Sequence, residues 1–311
     1  MFDSLRRNAP GCHLYVFAFD DLTHQVLKDL QHEALTVIPL SEFETPQLQA
    51  VKPGRSRAEY CWTCTPAILL HCLNAYKLPA CTYVDADLYF SHDPRCLIGE
   101  LKGRSVLLTE HRYTSRYDHS KTSGIYCVQF MTFRNTPDGL AALRWWADRC
   151  LEWCYNRLED GKFGDQMYLN DWPSRFNGVH VLQHEGGGLA PWNIQQYKVI
   201  QTDPWQVINL KTGCRWPVVF YHFHSLRFLA NQEVDFGAYS LPKDVLPLYR
   251  AYVAEIDLQE QALQQLGIER SIQPYRTSRG LHPSFHKFVR RLTGTYNVYH
   301  RSTLKQHAPA N

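Results

Sequence analysis

The sequence is first notable for what it lacks. No run of the 311 residues reaches the length of about 18 apolar positions that a membrane-spanning helix needs. The opening MFDSLRRNAPG has neither the apolar stretch nor the small-residue cleavage site of a secretory signal. Acid is missing from one end: all 30 Asp and Glu precede Ser271, while seven of the 33 Lys and Arg follow it. A mildly acidic body therefore carries a basic tail. No internal repeat or low-complexity segment is visible. The ten cysteines include no second C-x-x-C pair, and CWTC (residues 61–64) falls inside a helical stretch, so a redox or zinc reading is set aside. Cys72, Cys81 and Cys127 sit in apolar segments, as buried reduced thiols of a cytoplasmic protein do.

What is present is an alternation of strand and helix signals. HLYVFAF (13–19) is a short apolar, aromatic run that reads as a buried strand. DDLTHQVLKDLQHEAL follows, with Leu22, Val26, Leu27 and Leu30 at helical spacing and Asp20 or Asp21 as N-cap. TVIPL, ACTYV, SVLLTE, GIYCVQFMTF and PVVFYHFH are further strands; helices are expected over 57–76 and 94–102. PDGLAALRWWADRCLEWCYNRLEDG reads as one helix of about six turns, with Pro137 near its start and Gly161 past its end. The alternation predicts an α/β protein with a mixed, mainly parallel sheet flanked by helices. Residues 1–240 form the expected catalytic domain and 241–311 a helical, basic extension.

ACTYVDADLYFSHDP (80–94) carries the chemistry. Asp85 and Asp87 follow the apolar CTYV, and ligands of open α/β sheets bind beyond strand carboxyl ends. Two like charges one residue apart are reconciled by a hard divalent ion with oxygen ligands. The plain alternative is a turn with two solvated acids. A phosphatase with an aspartate nucleophile also uses strand-Asp-x-Asp, but Tyr89 stands where that pattern wants Thr or Val.

TYVDADLYF resembles the Asp-x-Asp strand end of GT-A glycosyltransferases. GDQMYLNDW (164–172) resembles the Asp-Gln motif of family 8-like retaining enzymes of that fold. HEGGGLAPWN (184–193) and FYHFHSL (220–226) resemble later segments of bacterial sugar transferases, and the motifs keep their order from about residue 14 to 226. The resemblance implies a GT-A-like fold and a metal-dependent transfer of sugar, with retention, from a nucleotide-sugar donor to a glycan or lipid-linked acceptor of a surface polymer. Asp85 and Asp87 would hold Mn²⁺ or Mg²⁺ on the donor diphosphate, with Asp85 also touching the donor. His222 matches the histidine that closes the metal site. His224 shares its strand face and remains a second candidate.

Asp165 and Gln166 would act at the sugar, Asp165 on donor hydroxyls and Gln166 near the anomeric carbon; Asp165 as a helix N-cap is the alternative. Gly187 would let backbone approach the donor. Trp192 and Asn193 would meet the acceptor, against the alternative of a tight loop with a packed Trp. Arg57 would face donor phosphate, against an ordinary surface arginine. Gln129 stands where relatives often carry a smaller residue, and would narrow the pocket or contact the donor.

At its start MFDSLRRNAPG reads as the end of the helix that follows the first strand of the family, so the expectation is either that translation starts further upstream or that the first strand is lacking. A nucleotidyltransferase would need a Gly-rich, basic phosphate loop after its first strand, and none is visible. An inactive sugar- or nucleotide-binding relative is the non-enzyme alternative. In PSFHKFVRRLTGTYNVYHR, Phe285, Phe288, Val289 and Leu292 recur at helical spacing, with Lys287, Arg290 and Arg291 opposite. That pattern suits peripheral contact with a membrane surface at its inner face, or a helix packed on the domain with a solvated basic face. The acidic body and the absence of a nucleic-acid motif argue against nucleic acid.

Overall fold

The computed structural model describes residues 1–269 and 282–305. Basic residues of the tail within 270–281, and the end from 306, lie outside the described residues. Strands β1 (Leu14–Ala18) and β2 (Leu35–Pro39) pair in parallel, joined by a helix, Asp21–Asp29, whose first turn Asp20 caps by accepting from Thr23 N at 2.8 Å. β3 (Ala80–Val84), β4 (Leu88–Phe90), β5 (Val106–Glu110), β6 (Tyr126–Arg134) and β7 (Val179–Val181) follow. The central sheet has the order β3-β6-β5-β7.

The expected mainly parallel sheet is corrected. Only β1–β2 and β5–β7 pair in parallel; the other strand pairs among the described residues are antiparallel. The cause is β6, which lies between β3 and β5 and runs against both. Its largely apolar sequence, buried from Tyr126 to Phe133, reflects cover on both faces, which a central antiparallel strand shares with a parallel one.

Alternate side chains of this sheet feed two cores. On one face Val106, Leu108, Val128, Met131 and Phe133 meet Leu69, Leu73, Leu143 and Trp146 of two long helices. On the other, Leu107 and Phe130 meet Leu5, Leu97 and Leu101. The first long helix, Arg57–Ala75, begins in a capping box: Ser56 Oγ accepts from Glu59 N, and Glu59 accepts from Ser56 N at 2.7 Å. Ser56→Ala should cost about 1 kcal/mol in urea unfolding. Glu59 keeps its second bond, from Asn156 N at 2.7 Å, so the loss should stay that small.

The second long helix, Pro137–Glu152, is shorter than its pattern. Trp153 turns extended, at φ −152° and ψ 122°. Its ring is buried and its indole N–H donates to Glu159 at 3.1 Å, while Tyr168 OH donates to its carbonyl at 2.9 Å. Burying the ring this way ends the helix two turns before the apolar periodicity does.

Beyond the central sheet, β8 (Tyr197–Ile200), β9 (Gln206–Asn209) and β10 (Arg215–Pro217) form an antiparallel meander. β11 (Phe220–His222) pairs with β4, and β12 (Arg227–Phe228), β13 (Glu233–Asp235) and β14 (Val298–His300) form a last small sheet. The helix Leu246–Gln265 buries Leu248, Tyr249 and Val253 in the same core as Tyr221 and Phe223. Phe223 stacks on Tyr252 at 3.9 Å between centroids, so the C-terminal extension backs the strand that carries His222.

The tail helix, Pro283–Leu292, docks in the reverse of the packed orientation expected from its sequence. Arg290 is buried and donates to both oxygens of buried Asp235, at 2.7 and 2.8 Å, and to Gly237 O at 2.7 Å. Phe285, Phe288 and Leu292 are exposed instead. A fully paired guanidinium, rather than apolar burial, fixes this helix.

Candidate metal centre

The turn between β3 and β4 holds Asp85 and Asp87. Asp85 N donates to Gln129 O on β6 at 3.0 Å, fixing the turn to the central strand. β4 pairs with β11 so that Leu88 opposes His222, and Phe223 N donates to Asp87 O at 3.0 Å. Strand pairing thus brings a residue 135 positions later in the chain onto the turn. One ligand atom each from Asp85, Asp87 and His222 lie within 4.8 Å of one another. His222 Nε2 is 3.1 Å from Asp87 Oδ1 and 3.8 Å from Asp85 Oδ2.

The charges are strongly coupled. Burial alone would lower the His222 imidazole, but Asp87, with Cys127 and Asp85, outweighs it and holds it well above its usual range. Burial would raise Asp87, yet His222 brings it below the ordinary carboxylate value. Burial raises Asp85, helped by the like charge of Asp87 and opposed by His222. A proton on the imidazole therefore takes the cationic place between two carboxylates. Two hard oxygens and one imidazole nitrogen fit a divalent cation in that place.

Asp165 is also brought close. It is buried at 5 % exposure, its carbonyl accepting from Trp146 Nε1 at 2.8 Å. Burial, reinforced by Asp85, lifts its carboxyl to about 7. The raised value has a stability consequence. Asp165 contributes stability that is fully present below its unfolded value of about 4 and is lost as pH rises through about 7. Asp165→Asn should therefore melt higher than wild type at pH 9, by the equivalent of roughly 2–4 kcal/mol, and equal to it near pH 4. Melting curves across pH check this, and a pH-independent difference would contradict it.

The other expected site residues are placed as follows. Gln166 donates to Ser123 O at 2.5 Å, and the segment it precedes is a single 3-10 turn, Met167–Leu169, so Asp165 caps no α-helix. His224 follows β11, is exposed, and lies with its ring 5.4 Å from Trp192 and 5.7 Å from His222. It is outside the three-ligand group. Arg57 is 78 % exposed and pairs with Asp20 at 3.0 Å. Gln129 is fully buried with Oε1 2.7 Å from His222 Nδ1.

No protein-family profile matches the chain. It is 31 % identical over 260 residues to YfnD of Bacillus subtilis (strain 168), an uncharacterized protein, covering 82 % of each chain. The chain belongs to the YfnD family. It is also 31 % identical over 242 residues to the uncharacterized YfnF of the same organism, covering 75 % of this chain and 78 % of that one. Among solved structures it is similar to apo mouse xyloside xylosyltransferase 1, with a TM-score of 0.41 and 17 % identity over 72 % of this chain and 90 % of that one.

In this YfnD-family chain the segment 184–193 packs closely against the protein around the centre. A Cβ on Gly186 would lie 1.8 Å from Pro217 O, and one on Gly187 would lie 2.8 Å from Leu97 Cδ1. Gly187 O accepts from Arg112 Nη1 at 3.0 Å. These glycines let neighbouring protein approach their backbone closely. Asn193 is buried and spends its amide on Ala190 N, His111 O and Gly188 O, each at 2.9 Å. Trp192 is buried with its indole N–H on His111 O at 2.8 Å and its ring edge-on to His222 at 5.3 Å. Both tie the loop to His111, and the Trp192 ring packs against His222.

Two supporting residues escaped the sequence reading. Arg112, at φ 49°, donates to Leu182 O at 2.6 Å and to His184 O at 3.3 Å as well as to Gly187 O. His111 is buried and neutral, its imidazole pushed down to about 3 by burial, and stacks on Tyr113 at 4.5 Å. Neither lies in a motif; each is recognisable only from the carbonyls and rings that fold against it.

Proposed function

We propose that this chain is a metal-dependent glycosyltransferase that moves a sugar from a nucleotide-sugar donor to a glycan or lipid-linked glycan. One observation carries the reading: Asp85, Asp87 and His222 converge beyond the end of β3 with ligand atoms within 4.8 Å. The GT-A resemblance of TYVDADLYF, GDQMYLNDW and FYHFHSL supplies the reaction class. Mn²⁺ or Mg²⁺ bound there would offset charge on the diphosphate oxygen as the sugar–phosphate bond breaks. The residues of the chain do the rest. Asp85 and Asp87 would hold the cation that meets the diphosphate, and His222 would complete the set from a strand packed against the C-terminal helix. Asp165, next to Asp85, accepts a hydrogen bond from a donor hydroxyl once ionised. Arg57 and Gln166 are placed on the donor side by the same resemblance, and retention rests on its Asp-Gln motif.

A panel of nucleotide sugars tests the reading. In water, with no acceptor added, the protein should release nucleoside diphosphate from one donor class slowly, stop with EDTA and resume with Mn²⁺. No release from any donor, with or without acceptor glycans, would count against it.

A further inference from the structure

Gln129 joins the two halves of the candidate metal centre. Its backbone carbonyl accepts from Asp85 N at 3.0 Å, and its side-chain Oε1 is 2.7 Å from His222 Nδ1. Gln129 is 0 % exposed and His222 5 % exposed, so no bulk water competes for that bond. The amide Nε2 has no hydrogen-bond partner among the described residues. It points towards Gly188, where a Cβ would stand 3.3 Å away and where φ of +94° already favours glycine.

The two ends of a neutral imidazole are not independent. If Nδ1 carries the proton, Nε2 offers a lone pair; if Nε2 carries it, that lone pair is gone. An oxygen facing Nδ1 accepts a hydrogen and so selects the first tautomer. An amide nitrogen in its place would donate to Nδ1, leaving the proton on Nε2, aimed at Asp87. Which end of Gln129 faces the ring therefore decides whether His222 can be a ligand.

We infer that Gln129 is a positioning residue whose amide oxygen holds His222 as the Nδ1–H form, keeping Nε2 for a divalent cation shared with Asp85 and Asp87. The inference rests on the metal-dependent reading above and assigns Gln129 a task other than donor contact. Hydrogen-bond partners behind a ligating imidazole typically change metal affinity by about 10–100-fold when removed. Gln129→Met keeps the volume of the side chain and removes the acceptor. Gln129→Glu keeps an acceptor.

Titration calorimetry with Mn²⁺ alone on the full chain tests this, with melting curves confirming that each variant is folded. Wild type should bind, and Asp87→Ala should not. Gln129→Met should bind about 10–100-fold more weakly, while Gln129→Glu should bind within about threefold of wild type or tighter. Should Gln129→Met fail to fold, Gln129→Leu tests the same loss. Wild-type affinity in Gln129→Met would overturn the inference and leave the metal reading standing. Equal weakening in the Met and Glu variants would also overturn it, by tracing the loss to repacking. No binding by wild type would overturn the metal reading and this inference together.

Discussion

Asp87→Ala should remove Mn²⁺ affinity and lower metal-dependent turnover on the order of 10²–10³-fold, with a loss of melting temperature near neutral pH because buried His222 loses the carboxylate that keeps it charged. Asp87 lies 3.1 Å from His222 Nε2 and is half-exposed, so its carboxylate supports a ligand site more than a core. Its backbone carbonyl still accepts from Phe223 N after the substitution, so β11 keeps its place. What is lost is one of two anionic oxygens that would hold a cation against a charged diphosphate. Removing a single preorganised electrostatic contact of this kind costs about 10²–10³ in rate in other active sites. Calorimetry and donor hydrolysis, measured on the same preparation, check both halves. A variant that loses activity only because it unfolds would show it in the melting curve.

Asp235→Ala should have the opposite profile: a large loss of stability with the metal ligands untouched. Asp235 accepts both N–H groups of Arg290 at 2.7 and 2.8 Å, and both residues are about 5 % exposed or less. Removing the acid leaves a buried guanidinium uncompensated, which costs about 3–5 kcal/mol. Gly237 O and Thr295 O still accept from Arg290, but neither carries charge. Phe285, Phe288 and Leu292 of the tail helix face outward, so this ion pair carries much of its docking. Urea unfolding of Asp235→Ala checks the size. Adding Arg290→Met should recover most of the loss, because an apolar pair needs no charge partner.

Local physics made much of the architecture legible in the sequence. Apolar runs located β1, β2, β3, β5 and β6, and the long helix starts at Arg57 as expected. Strand direction was not legible, since a doubly covered antiparallel strand such as β6 has the same largely apolar sequence as a parallel one. The early end of the helix at Glu152 escaped because Trp153 finds its burial and its indole partner outside the helical register. The short strands β12, β13 and β14 pair over few residues and gave no period to read.

At the site, Asp85 and Asp87 stood out by spacing and His222 by resemblance, and the β4–β11 pairing brings them together. The glycines, Trp192 and Asn193 were visible as a motif, but their composition suits a ligand loop and a brace equally. The structure adds the close approach of Gly186 to Pro217 and the three hydrogen bonds of the Asn193 amide. Arg112 and Gln129 act through backbone carbonyls and a ring nitrogen, which no one-dimensional pattern records.

The most direct test of the account is thermal stability with UDP, GDP, CDP and dTDP, each with and without Mn²⁺, on wild type and Asp87→Ala. Ligand that binds only the folded chain raises the melting temperature by mass action, by about 5 °C at a hundredfold excess over Kd for a chain of this size. The account predicts a rise that needs one nucleotide and the metal together and disappears in Asp87→Ala. A nucleotide shift that persists without metal, or survives in the variant, would contradict a metal centre at Asp85, Asp87 and His222.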